Sequence, residues 1–167
     1  ICCVPIIYIN LNLLMKKIQV GILFLTIIGS LVFLPSANGT DNSNLNVTIN
    51  GLKNQKGKVC FNLFSSSRGF PSKKKLALQS KCINIKETPV QLKFKSLKPG
   101  TYALSIYHDA NTDNKFNRNA LGMPVEGFAF SRNPRVLTSA PDFGDSAIFV
   151  AGESMNIEVN MNYLMGS

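Results

Sequence analysis

Tryptophan is absent, histidine occurs once, and acids are half as numerous as bases: 9 Asp and Glu stand against 18 Lys and Arg in 167 residues. Each scarcity removes a class of function. A single histidine, His108, excludes a His-rich zinc cluster. Neither a Cys-x-x-Cys pair, a Gly-x-Ser-x-Gly elbow nor a phosphate-binding glycine loop occurs, so no familiar nucleophile or nucleotide signature is in place. The basic excess is dispersed over Lys53, Lys56, Lys58, Lys73, Lys74, Lys75, Lys93, Lys95 and Lys98 without interleaved aromatics. Single-stranded nucleic acid needs such aromatics for stacking, so it is not an expected partner. Anionic envelope or wall polymers fit better, and a merely solvated basic face is the plain alternative.

Long helical periodicity is also missing after residue 40, and the one long apolar run lies before it. Met15, Lys16 and Lys17 precede residues 20–34, which are mostly apolar; Pro35 breaks the run, and Ala37 and Gly39 put small residues where a signal peptidase cuts. The expected organisation is an upstream extension over 1–14, a signal-peptide helix over 15–39 and one domain over 40–167. An uncleaved anchor is the rival, but the run falls short of the roughly 20 residues that span a bilayer. The expectation is a secreted or periplasmic protein with no stable membrane span after cleavage. From Thr40 onward the net charge is 16 − 9 = +7. Cys60 and Cys82 are then the two remaining cysteines, and in an oxidising compartment such a pair is expected to be a disulfide, with two unpaired buried thiols as the alternative.

What the chain does have is period-two alternation. Leu45, Val47 and Ile49 alternate with polar residues, as do Val59, Phe61 and Leu63, then Val90, Leu92 and Phe94, then Met155, Ile157, Val159, Met161 and Tyr163. Weaker strand signals cover 76–85, 101–107, 127–130 and 147–150. About seven or eight short antiparallel strands with Gly, Asn and Pro turns predict an all-β sandwich, immunoglobulin-like or transthyretin-like. Phe61, Leu92, Phe94, Leu104, Ile106, Ile157 and Val159 are its expected core.

Polar chemistry concentrates in one stretch, "HDANTDNKFNRNALGMPVEGFAF", residues 108–130. Its setting, the Pro-Gly-Thr-Tyr hairpin of Pro99–Tyr102, the His-Asp and Asn-rich loop of His108–Asn117, Gly122–Gly127, Phe130–Asn133 and Pro141–Phe143, resembles the bacterial family called domain of unknown function 2141. The resemblance implies a small exported β domain without an assigned activity. Members often carry Asn-Gly where this chain has Asp113-Asn114, and Asn tolerates the left-handed conformation such a turn needs.

Asp109, Asn111 and Asp113 occupy the first, third and fifth places of a cation-binding pattern, with Asn117 at the ninth and Glu126 able to fold back. Calcium is the cofactor that this spacing suggests. An EF-hand would have Gly and Glu where Asn114 and Ala120 stand, so the match is partial. The alternative is a network of Asx turns in which the same side chains satisfy loop amides. His108, Asn119 and Glu126 are candidate ligand contacts. The functional expectation is an exported, non-enzymatic binding or envelope-associated module. The alternative is a hydrolase using His108, Asp109 and Glu126, although neighbours on a strand point to opposite faces. The C-terminal "NYLMGS" and the single histidine do not support hydroxyisourate hydrolase activity, known for some transthyretin-like sandwiches.

Overall fold

A computed structural model describes residues 42–136 and 139–164; the expected upstream extension and signal peptide lie outside the described residues. Strict alternation governs β1 (Ser43–Asn50), where Ser43, Leu45, Val47 and Ile49 are buried and the residues between them are half-buried. The same rule shapes β4 (Val90–Leu97), whose Val90, Leu92 and Phe94 turn inward while Gln91, Lys93 and Lys95 face water. β2 (Lys58–Phe64), β3 (Gln79–Asn84), β5 (Gly100–Asp109), β6 (Gly127–Phe130), β7 (Ala147–Val150) and β8 (Ser154–Asn160) complete the set. Helical structure among the described residues is limited to a 3-10 turn at Lys74–Leu76 and the four-residue α1 (Phe143–Ser146).

The strands form two sheets, β4-β1-β8 and β3-β2-β5-β6, with β7 also paired to β5. Their inner faces meet in one core that contains Phe61, Leu92, Phe94, Leu104, Ile106 and Val159, with Ile157 packed half-buried against it. Phe61 and Phe94 cross the sandwich edge to face, with ring centroids 5.2 Å apart. Such a pair contributes about 0.5–1.5 kcal/mol beyond its buried area. The described residues belong to one compact unit, Gly39–Ser167. No helix among them is long and apolar enough to cross a membrane.

The sandwich differs from an all-antiparallel one in a single pairing: β8 runs parallel to β1, from Asn44 opposite Ser154 to Asn50 opposite Asn160. The cause is topological. β1 already has β4 on one edge, and the three-residue connection after β7 delivers Ser154 beside the start of β1, where the Asn44 N–H donates to the Glu153 carbonyl at 3.0 Å. The chain then leaves this sheet, and Asn162 exchanges two backbone hydrogen bonds with Phe128 on β6, at 2.8 and 3.0 Å. This brings Tyr163 against Gly127, where any Cβ would lie 2.4 Å from the tyrosine ring. Glycine is therefore required there by space rather than by backbone angle.

Cys60 and Cys82 stand directly opposite one another on β2 and β3, Cα atoms 3.9 Å apart, and form a disulfide. A closed loop with a sequence separation of 22 removes denatured-state freedom amounting to about 3 kcal/mol in the chain-entropy account. The double variant Cys60→Ala/Cys82→Ala should lose about that much unfolding free energy in urea while keeping its circular-dichroism spectrum. An unchanged urea midpoint would show that the bridge constrains nothing.

Candidate functional site

The polar loop begins where β5 ends. Period two turns His108 into the sandwich and Asp109 to the opposite face, and both are almost completely buried. Asp109 Oδ1 accepts the Asp113 N–H at 3.1 Å and Oδ2 accepts the Asn114 N–H at 2.9 Å. Asn111 Oδ1 also accepts the Asp113 N–H, at 3.2 Å, and Asp113 Oδ1 accepts the Lys115 N–H at 2.8 Å. Asp113 Oδ2 takes the Asn117 side-chain amide at 2.9 Å, and Glu126 Oε2 takes the Asn117 backbone N–H at 2.9 Å. Acceptors on every second residue suit this arrangement, because an Asx side chain reaches the N–H two positions ahead. Asn114 holds φ at 60°, the left-handed turn expected of it.

Charge follows from these partners. The Asn117 side chain and the Lys115 N–H hold the Asp113 carboxyl below the usual aspartate range. Burial pushes the Glu126 carboxyl above the usual glutamate range, with the like charges of Asp109 and Asp113 adding to the effect and the Asn117 N–H opposing it.

The five residues suggested for calcium thus share one loop, but they are joined by hydrogen bonds. Both Asp109 oxygens and both Asp113 oxygens are acceptors for loop N–H groups. Among the described residues, no three His, Cys, Asp or Glu side chains form a group that could hold a metal ion. The oxygens that calcium would take are thus engaged by the Asx turns of the loop.

The candidate contacts His108, Asn119 and Glu126 do not converge. His108 Nε2 lies 2.8 Å from the Lys56 carbonyl and Nδ1 lies 2.8 Å from the Tyr163 hydroxyl. A carbonyl only accepts, so these partners assign the proton to Nε2, with Nδ1 accepting from Tyr163. Both ring nitrogens are used, on the side of the sheet away from Asp109, so the hydrolase set His108, Asp109 and Glu126 is divided between faces. Asn119 Oδ1 instead caps a turn, accepting the N–H groups of Leu121 and Met123 at 3.0 Å each.

A different site lies beside the loop. The outer face of the five-stranded sheet is not left to water: Phe64, Ser105, Tyr107, Phe128 and Phe130 are all buried. Rings continue from Tyr107 to Phe116 (5.7 Å), Phe128 (6.1 Å) and Phe130 (5.9 Å), and from Phe130 to Phe70 (6.0 Å). Between this aromatic layer and the covering loops opens a cleft of about 170 Å³, with Lys74 and Arg118 among its walls. Lys74 Nζ donates to the Tyr107 hydroxyl at 2.9 Å and to the Asn114 carbonyl at 2.8 Å. Arg118 stands 5.1 Å from the centre of the Phe116 ring and donates to the Gly122 carbonyl at 2.8 Å. The signal that could have found this cleft is the aromatic character of Phe64, Tyr107, Phe128 and Phe130, at positions alternation assigns to the outer face.

These features define a small, disulfide-linked β-sandwich whose larger sheet carries a second, aromatic layer under loops. The chain belongs to the bacterial family described as uncharacterized protein conserved in bacteria (DUF2141), which matches residues 47–158. No curated protein and no solved structure matches it.

Two outcomes follow from the loop. Because the Glu126 value is raised on folding, its contribution to stability is fullest below the unfolded glutamate range and is lost as pH rises through the raised value. Asp113 acts in the opposite sense, losing its contribution as pH falls through its lowered value. Melting curves from about pH 4 to about pH 7 should therefore move Glu126→Gln upward relative to wild type as pH rises; a constant gap would refute this. As a hydrogen-bonded turn the loop should also melt at the same temperature with and without millimolar calcium. A calcium-induced rise that disappears in Asp109→Ala/Asp113→Ala would restore the cation reading.

Proposed function

We propose that this protein is an exported, non-enzymatic binding module whose ligand sits in the aromatic cleft. The observation that carries the proposal is the outer face of the five-stranded sheet. Loops bury it, yet they leave a cleft bounded by Tyr107, Phe116, Phe128 and Phe130. Small-molecule sites are mostly apolar concavities with a few placed polar groups, and the cleft has that make-up. Export is supported by the leader pattern at 15–39 and by the Cys60–Cys82 disulfide, which persists in oxidising compartments. The positive balance of the chain supports association with anionic envelope or wall polymers. Against catalysis stands the placement of His108, whose ring nitrogens are both engaged in the interior.

The test uses protein recovered from an extracytoplasmic fraction, with its N-terminus expected at or near Thr40, and benzyl alcohol as a neutral single-ring probe. Titration followed by NMR should give saturable shifts confined to Tyr107, Phe116, Phe128 and their neighbours. Phe116→Ala should weaken binding about tenfold, the loss of about 1.4 kcal/mol of ring contact. Scattered or non-saturating shifts, or recovery only of uncleaved chain from the cytoplasm, would sink the proposal.

A further inference from the structure

The cleft joins two properties: an aromatic wall and positive charge without a carboxylate partner. Lys74 and Arg118 both line it, and among the described residues neither forms an ion pair with Asp or Glu. Lys74 spends two of its three N–H donors on the Tyr107 hydroxyl and the Asn114 carbonyl; its Nζ lies 5.3 Å from the Tyr107 ring centre. Arg118 uses one guanidinium nitrogen on Gly122 and keeps donors in hand. Both cations are held by rings and carbonyls, partners that fix position without neutralising charge. The nearby acids Asp109, Asp113 and Glu126 direct oxygens to loop amides rather than to these cations.

Size narrows the occupant. The cleft, about 170 Å³, is comparable to an apolar cavity of about 150 Å³ that admits benzene in another protein. One six-membered ring fills such a space; a fused polycyclic body or a folded peptide does not. Resting on the binding-module reading above, we infer that the ligand is a single-ring aromatic carboxylate. Its ring lies against Phe116 and Phe128, and its carboxylate meets the free donors of Lys74 and Arg118. Charge-assisted hydrogen bonds of this type are about twice as strong as neutral ones, and here they form at the edge of a partly desolvated cleft.

Phenylacetate, its neutral amide phenylacetamide and the cation phenethylammonium are the probes, titrated into the intact exported chain by calorimetry. Phenylacetate should bind at least tenfold more tightly than phenylacetamide, with phenethylammonium the weakest. Raising the salt from about 0.05 M to about 0.5 M should erode the advantage of the anion and leave the amide unchanged. Arg118→Gln and Lys74→Met should each reduce the preference for anion over amide while retaining amide affinity. Arg118 is exposed, so its variant tests the claim even if Lys74→Met perturbs the loop through Tyr107 and Asn114. Equal binding of phenylacetate and phenylacetamide overturns the inference yet leaves the module standing if benzyl alcohol still binds. A preference for the anion that survives both substitutions overturns the assignment to these two cations. Absence of binding by all three probes and by benzyl alcohol overturns the inference and the module together.

Discussion

β5 is the constraint on which the rest of the sandwich depends. Along one edge it pairs with β2 from Ala103 to Asp109, and its other edge is divided between β7, over Gly100–Ala103, and β6, over Ser105–His108. From Tyr102 to Asp109 both its faces are buried, so each of these side chains must be satisfied without bulk water. Apolar Leu104 and Ile106 meet this demand in the inter-sheet core. Ser105, Tyr107 and Asp109 face the other way and need polar partners. Ser105 Oγ donates to the Pro71 carbonyl at 2.7 Å, Tyr107 receives Lys74, and Asp109 receives two loop amides. The covering loops are therefore drawn onto the outer face by the polar groups of one strand.

The same demand shapes the turn after β5. A buried carboxylate with unfilled lone pairs is costly, and the backbone N–H groups of Asp113 and Asn114 fill them only if the chain curls back at once. Gly57 permits the approach: its φ of +75° is a conformation side chains rarely adopt, and a Cβ there would lie 2.1 Å from the Asp109 carbonyl oxygen. The loop's far end is tied by Glu126 to Asn117, and the short span between places Phe116 over Tyr107 and Phe128. The wall of the cleft is thus a consequence of how the strand's last carboxylate is solvated by protein.

Alternation made β1, β2, β4 and β8 legible in the sequence, because their inner faces select apolar residues while β1, β4 and β8 leave the other face to water. The pairing of Cys60 with Cys82 was legible from their number and from the oxidising compartment that the leader pattern leads one to expect. Pairing partners were not: nothing local in Ser154–Asn160 distinguishes a strand parallel to β1 from an antiparallel one, since direction is fixed by the route of the chain from β7. The span 76–85 has a strand pattern, but Leu76 ends the turn at Lys74–Leu76 and β3 begins only at Gln79. The Asp109, Asn111, Asp113 spacing was visible, but its meaning was not. Amide capping and cation binding use the same oxygens at the same intervals. The aromatic cleft escaped because it assembles Phe116, Phe128 and Lys74 from three separated segments, and period two treats an outer face as solvent.

Charge balance links the loop to the cleft. With 18 Lys and Arg against 9 Asp and Glu, acids are the scarce partner, and three of the nine are committed to loop amides between Asp109 and Glu126. Had Asp113 or Glu126 turned toward Lys74 or Arg118, an ion pair would have closed the cleft electrically. By giving these carboxylates to loop N–H groups, the Asx turns keep the acids occupied and leave the neighbouring cations supported by rings, carbonyls and the Tyr107 hydroxyl. A positive, ring-walled recess is the result, and it arises from the same hydrogen bonds that give the loop its shape.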